Sequence, residues 1–152
     1  MALLCYVFRV RTEREQTMTV TLVHPEKVNR VDVHHQVAVT QGTRTVYLAG
    51  QVSWDTGGNL VGRDDVAAQA EQCYLNIAAA LEAVGGTAAD LAKVTVYVVD
   101  LDEDKAERFV VGRDRAGAAL GVEFQQPSTW IGVTALAAPG YLVEVDAVAV
   151  LP

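Results

Sequence analysis

Gln126-Pro127-Ser128-Thr129-Trp130-Ile131-Gly132-Val133, followed closely by Leu142-Val143-Glu144-Val145-Asp146-Ala147-Val148-Ala149-Val150, is the stretch that decides the fold. Residues 130–134 and 142–150 read as strands, parted by the turn signal Ala138-Pro139-Gly140. Successive side chains of a strand point to opposite faces. Glu144 and Asp146 therefore share one face, opposite the apolar residues that alternate with them. A carboxylate amid apolar neighbours is expected to be partly buried, and burial raises its pKa toward that of a working general base. The competing reading is an interface carboxylate paired with Arg44 or Arg113.

Upstream, the β-branched run at 93–99 is a further strand, and residues 102–120 form a helix. Its apolar face is Ala106, Phe109, Val110, Ala116 and Leu120, with Arg113 at an apolar-phase position. An earlier helix is expected to be capped by Asp64. It carries Val66, Ala70, Cys73, Tyr74, Ile77, Leu81 and Val84 at helical spacing and stops at Gly85-Gly86. Residues 33–40 alternate, with Val33, His35, Val37 and Val39 on one face. Gln41-Gly42 then predicts a turn into a strand at 45–52, so the two are expected to pair as a hairpin. Residues 18–23 form one more strand, ended by His24-Pro25. This order predicts an α+β domain with two helices on one face of a mixed sheet. Val94, Val96, Val98, Val143, Val145, Ile131 and Val133 are more apolar than a solvated face tolerates; strand propensity of β-branched residues is one explanation, and burial of the other face by oligomerisation is the favoured one.

The bulk properties narrow the classes. A chain of 152 residues, 51% hydrophobic, suits one domain with a real core. Its net charge of −7 repels phosphate backbones, which argues against nucleic acid as partner. Two distant cysteines, Cys5 and Cys73, match cytoplasmic usage rather than a disulfide framework. No apolar run approaches the roughly 20 residues that span a bilayer, so no membrane partner is expected. Met18 is a natural start for the patterned sequence, which leaves residues 1–17 as an extension, either disordered or read from an upstream start, and 18–152 as the single domain.

Taken in order, Gln36, Ala49-Gly50-Gln51, Gln69 with Asn76, residues 83–86 and 94–96, Gly132-Val133 and the Glu144 strand resemble the reactive intermediate deaminase family, also called Rid or YjgF-like. The resemblance covers residues 31–150. It implies a chorismate-mutase-like fold and a homotrimer formed through the open sheet face, with sites in clefts between subunits. It also implies cofactor-free hydrolysis of amino-acid imines or enamines to 2-oxo acids and ammonia. The family glutamate that positions water corresponds to Glu144, and the glycine segment that contacts substrate through a backbone amide corresponds to Gly50 and Gln51. The pocket tyrosine of the first hairpin falls at His34. The arginine that grips the substrate carboxylate falls at Ser128, with Thr129 and Trp130 where small residues are usual.

That departure bears on the chemistry. An arginine fork pairs bidentately with a carboxylate, and hydrogen bonds to charged groups contribute about 1.5–3 kcal/mol each. Serine offers one neutral donor. Ser128 and Thr129 either bind a less anionic ligand or mark a vestigial site; Arg44, Arg113 and Arg115 are the candidates to refill the charge, from this chain or a neighbour. Trp130 is either plain core or the floor of a cleft that selects flat apolar ligands. His34 and His35 point to opposite sides of a strand and cannot share a metal, so no metal site is expected. Ser128 has no triad partners at any readable spacing, and Gly57-Gly58 lacks the lysine and helix of a phosphate loop. Two functions stay open: hydrolysis of an imine- or enamine-like C–N bond on a substrate other than simple amino-acid imines, or a non-catalytic trimer that senses or sequesters a metabolite. The family's older label, ribonuclease, is disfavoured by the acidic charge.

Overall fold

The computed structural model describes residues 19–152. The expectations for residues 1–17 and for Met18 lie outside them. The elements are β1 (Thr19–Val23), β2 (Val37–Gln41), β3 (Arg44–Val52), α1 (Val66–Glu82), a 3-10 turn at Ala88–Asp90, β4 (Leu91–Val99), α2 (Glu103–Leu120), β5 (Ser128–Val133) and β6 (Val143–Leu151). Four strands form the main sheet in the order β3-β6-β4-β5. It is mixed: β6 runs antiparallel to both neighbours, and β4 and β5 are parallel because α2 carries the crossover between them.

Alternation along β4 and β6 sets the layers. Val94, Val96, Val98, Val143, Val145, Ala149 and Leu151 are buried against α1 and α2, with Ile77, Leu81 and Phe109 across from them. This corrects the argument for the second face: the valines at 94, 96, 98, 143 and 145 all lie under the helices and say nothing about the other side. The open face is built instead from Tyr47, Thr95, Tyr97, Val99, Thr129, Ile131, Val133, Glu144, Asp146, Val148 and Val150. Tyr47 is 80% exposed and Ile131 39% exposed there.

The helices meet closely at Gly112, where an added Cβ would run into the Ala67 carbonyl oxygen and the Ala70 methyl. The cap of α1 is Asp65 rather than Asp64. Its Oδ1 accepts from the amides of Ala67 (3.0 Å) and Ala68 (3.1 Å), while Asp64 sits at φ 60° in the turn before it. The cap has to precede the first helical residue, Val66, directly. Asp102 caps α2 through the Lys105 amide.

The expected hairpin between the second and third strands does not form. β2 pairs with β1 in a separate two-stranded sheet. The cause is at the corner: the Thr43 amide donates to the Leu151 carbonyl at 2.9 Å, and Gly42 packs against that oxygen with no room for a side chain. The chain is pinned at the end of β6, so β2 leaves the main sheet instead of folding back along β3. Val37 and Val39 share a face of the small sheet, as alternation predicts, but both are exposed. Among the described residues no helix is long and apolar enough to cross a membrane.

Candidate functional site

Glu144 lies at the middle of the open face, beside Tyr97 on β4, which in turn sits beside Ile131 on β5. Between Leu48 and Gln51 the β3–β6 register slips: three steps on β3 match two on β6, so β3 carries a bulge at Ala49-Gly50. The bulge brings Gly50 flush against Glu144, whose Oε1 occupies the place a side chain at position 50 would take. Gly50, Tyr97, Glu144 and Asp146 line a cleft of about 380 Å³, closed on one side by Val133 and the loop residues Ala135, Leu136 and Ala137.

Asp146 does not serve Glu144 directly. Its Oδ1 accepts from the Thr95 amide at 3.1 Å, which ties it to the backbone of β4. The ion pairs among the described residues are Arg108–Asp104 and Arg113–Asp114, neither of which involves Glu144. Arg113 is buried on the helix side, where it donates to the Val33 carbonyl (2.8 Å) and to Asp114. Arg44 reaches the carbonyls of Val84 and Pro152 at the end of the sheet, and Arg115 is exposed on α2. Within one chain, therefore, none of the three expected replacements faces the cleft. Behind β6, burial pushes the Cys73 thiol far above its usual range, and the Glu144 charge adds to the effect. Cys73 is core, not a nucleophile.

The remaining expected residues gather elsewhere. His34, Ser128 and Trp130 line a second pocket of about 380 Å³ with Val33, Ala106, Glu107 and Val110, between α2 and the outer edge of β5. Trp130 stands edge-on to Phe109, with ring centroids 4.7 Å apart, and its Nε1 donates to Ser128 Oγ at 2.5 Å. The indole thus packs on the core and also lines the pocket. His34 Nδ1 is shielded from solvent and has no hydrogen-bond partner. Burial first, then the Arg113 charge and His35, hold its pKa below the usual imidazole value. His35 points away, stacked on His24 at 4.2 Å and bonded to Gln125.

So the residues expected in one site form two groups on opposite faces of the same sheet. Gly50 and Glu144 are on the open face; His34, Ser128 and Trp130 are on the helix side. Thr129 is exposed on the open face beside Thr95, and Gln51 turns its amide back to the Ala49 carbonyl on its own strand. Sequence reasoning passed over Tyr97, although it has the parity of Thr95 rather than of the buried valines. It also passed over Ala106, Glu107 and Val110 as pocket residues; no pattern in one sequence separates a helix face that meets a pocket from one that meets core. The landmarks Gln69 and Asn76 are structural. Buried Gln69 donates to the carbonyls of Gly62 and Gly140 and accepts from the Leu142 amide (2.7 Å), which fixes the loop leading into β6. Asn76 donates to the carbonyls of Val52 and Trp54, just past the bulge. Among the described residues no three of His, Cys, Asp and Glu come together as a metal-binding group.

Comparison with known proteins agrees with this architecture. A RutC family protein from Haemophilus influenzae is 35% identical over 86 residues, which are 57% of this chain and 65% of that protein, so this chain spans just under two thirds of that relative. The crystal structure of YyfB from Yersinia pestis, described as a Rid-family protein of unknown function, superimposes with a TM-score of 0.74 at 30% identity, covering 87% of this chain and 98% of that one. RidA from the Antarctic bacterium Psychrobacter gives 0.57 at 29% identity, covering 81% and 92%. The profile of the family described as Endoribonuclease L-PSP matches residues 30–151, which takes in all of the main sheet, both helices and both pockets: the chain belongs to that family, the Rid/YjgF group.

Proposed function

We propose that this protein is a cofactor-free, small-molecule hydrolase of the Rid type, whose site is completed between copies of the chain in a homotrimer. The observation that carries the reading is the Gly50–Glu144 contact, in which a bulge and a missing side chain leave a carboxylate facing an open cleft, with no ion pair to it among the described residues. The Glu144 cleft opens on the uncovered face of the sheet, so a copy docked on that face would supply the wall the cleft lacks. The exposed Tyr47 and Ile131 give the open face a reason to associate.

The chemistry is water addition to a C=N bond. Glu144 takes a proton from water as the oxygen bonds to the imine carbon, and the C=N electron pair moves to nitrogen, which is protonated. The resulting carbinolamine loses ammonia and leaves a carbonyl. In this scheme the backbone at Gly50 holds the substrate's oxygen. With no ion pair to Glu144 among the described residues and none of Arg44, Arg113 and Arg115 facing its cleft, the substrate in this scheme is not a simple amino-acid imine.

Ammonia release from a panel of freshly generated imines tests this. Turnover is expected on imines without a carboxylate, with loss in Glu144→Ala and none on 2-iminopropanoate. Turnover of 2-iminopropanoate that Glu144→Ala abolishes would overturn the substrate assignment. A second reading, a non-catalytic trimer that binds a metabolite, draws on the Trp130–Ser128 bond, which commits the serine to holding a pocket wall. Stoichiometric binding with no ammonia from any imine would select it. The net charge of −7 argues against an RNA substrate.

A further inference from the structure

We infer that the pocket between α2 and β5 recognises an uncharged, flat apolar group bearing a single hydrogen-bonding function, and that it rejects carboxylates. This goes beyond the proposed function: the pocket stands on the helix side of the sheet, apart from the Glu144 cleft. Its walls are Val33, Ala106, Val110 and the face of Trp130, and its volume of about 380 Å³ is near the lower end of the range typical of small-molecule sites. The indole wall is pre-set by the bond to Ser128 and the edge contact with Phe109, so a planar ligand stacks on a surface that is already ordered.

Polar groups in the lining are few. Ser128 Oγ already accepts from Trp130, which leaves its hydroxyl proton as a neutral donor. His34 Nδ1 is buried and without a partner, and no solvent reaches it. Burial and the nearby Arg113 both favour the neutral ring, so His34 adds no positive charge to the lining. The charged member of the lining is Glu107, an acid at the mouth. The Arg113 guanidinium is spent on Val33 and Asp114. A carboxylate entering here would lose its water beside an acid and find no cation in the lining among the described residues, a cost that an amide of the same shape avoids.

Isothermal titration of the full chain with phenylacetamide and phenylacetate, a near-isosteric pair differing in charge, tests the inference. Phenylacetamide is expected to bind at least tenfold more tightly. Ser128→Arg is expected to reverse the order. Glu107→Gln, at an exposed position of α2, is expected to narrow the gap without disturbing the fold. Equal or tighter binding of phenylacetate, or no binding of either at millimolar concentration, would overturn the inference. The readout is independent of turnover. If the amide preference holds while no imine is hydrolysed, the hydrolase reading fails and this one stands; if imines turn over while phenylacetate binds better, the reverse is true.

Discussion

The side chain that Gly50 lacks is the space that the Glu144 carboxylate fills. Two residues on adjacent strands thus share one volume, and the sequence of one determines where the acid of the other can sit.

Gly50→Ala is expected to separate function from stability. The obstacle to a new methyl is mainly the far end of a flexible side chain, which can swing aside, so the destabilisation should be about 1 kcal/mol in urea unfolding. The carboxylate would leave its position, and imine turnover should fall by at least tenfold.

Gly112→Ala makes the contrasting case. Its methyl would meet the Ala67 backbone carbonyl, which cannot swing away without parting the helices. A loss of about 3 kcal/mol is expected, measured by the same unfolding experiment.

Gln69→Leu keeps most of the side chain's volume but leaves the carbonyls of Gly62 and Gly140 and the amide of Leu142 without their partner. Buried polar groups that lose a partner cost about 1–3 kcal/mol each, less where water can enter. A loss of about 3 kcal/mol is expected, together with faster amide hydrogen exchange in the loop around Gly140.

Acid should weaken the fold through His34. Its folded pKa lies below the ordinary 6.5 because burial, Arg113 and His35 all oppose a second proton. The unfolded chain therefore binds more protons in this window, and stability falls as pH drops below 6.5 toward the lowered folded value. Above 6.5 the contribution is fully present. Denaturation series between pH 5 and 7.5 should show this slope, and His34→Phe should flatten it.

Association through the open face is checked by Tyr47→Lys combined with Ile131→Lys. Light scattering on the eluting protein should give three times the mass of one chain for the parent and a single-chain mass for the double variant. A parent that elutes as a monomer would remove the shared site.

Much of this was legible in the residues. The stripe from Val66 to Leu81 and the alternation of β6 are long, regular signals, and both elements fall where periodicity puts them. The cap shifted from Asp64 to Asp65 because two adjacent aspartates offer the same chemistry and only the backbone chooses between them. The hairpin misreading has another origin: Gln41-Gly42 does turn the chain, but a distant carbonyl, that of Leu151, decides the direction. The site was the least legible part. Parity along each strand relates Glu144 to Asp146 and Ser128 to Trp130. It cannot relate one strand's parity to another's, so a sequence does not reveal that the two groups stand on opposite faces.

The protein's two tryptophans, Trp54 and Trp130, sit in different media: Trp54 is 44% exposed beside the loop after β3, while Trp130 is wedged against Phe109. Iodide in solution should therefore extinguish the emission of the first and spare much of the second. The light that remains comes from the wall of the α2–β5 pocket, and it gives the molecule an intrinsic, label-free gauge of whether that pocket is filled.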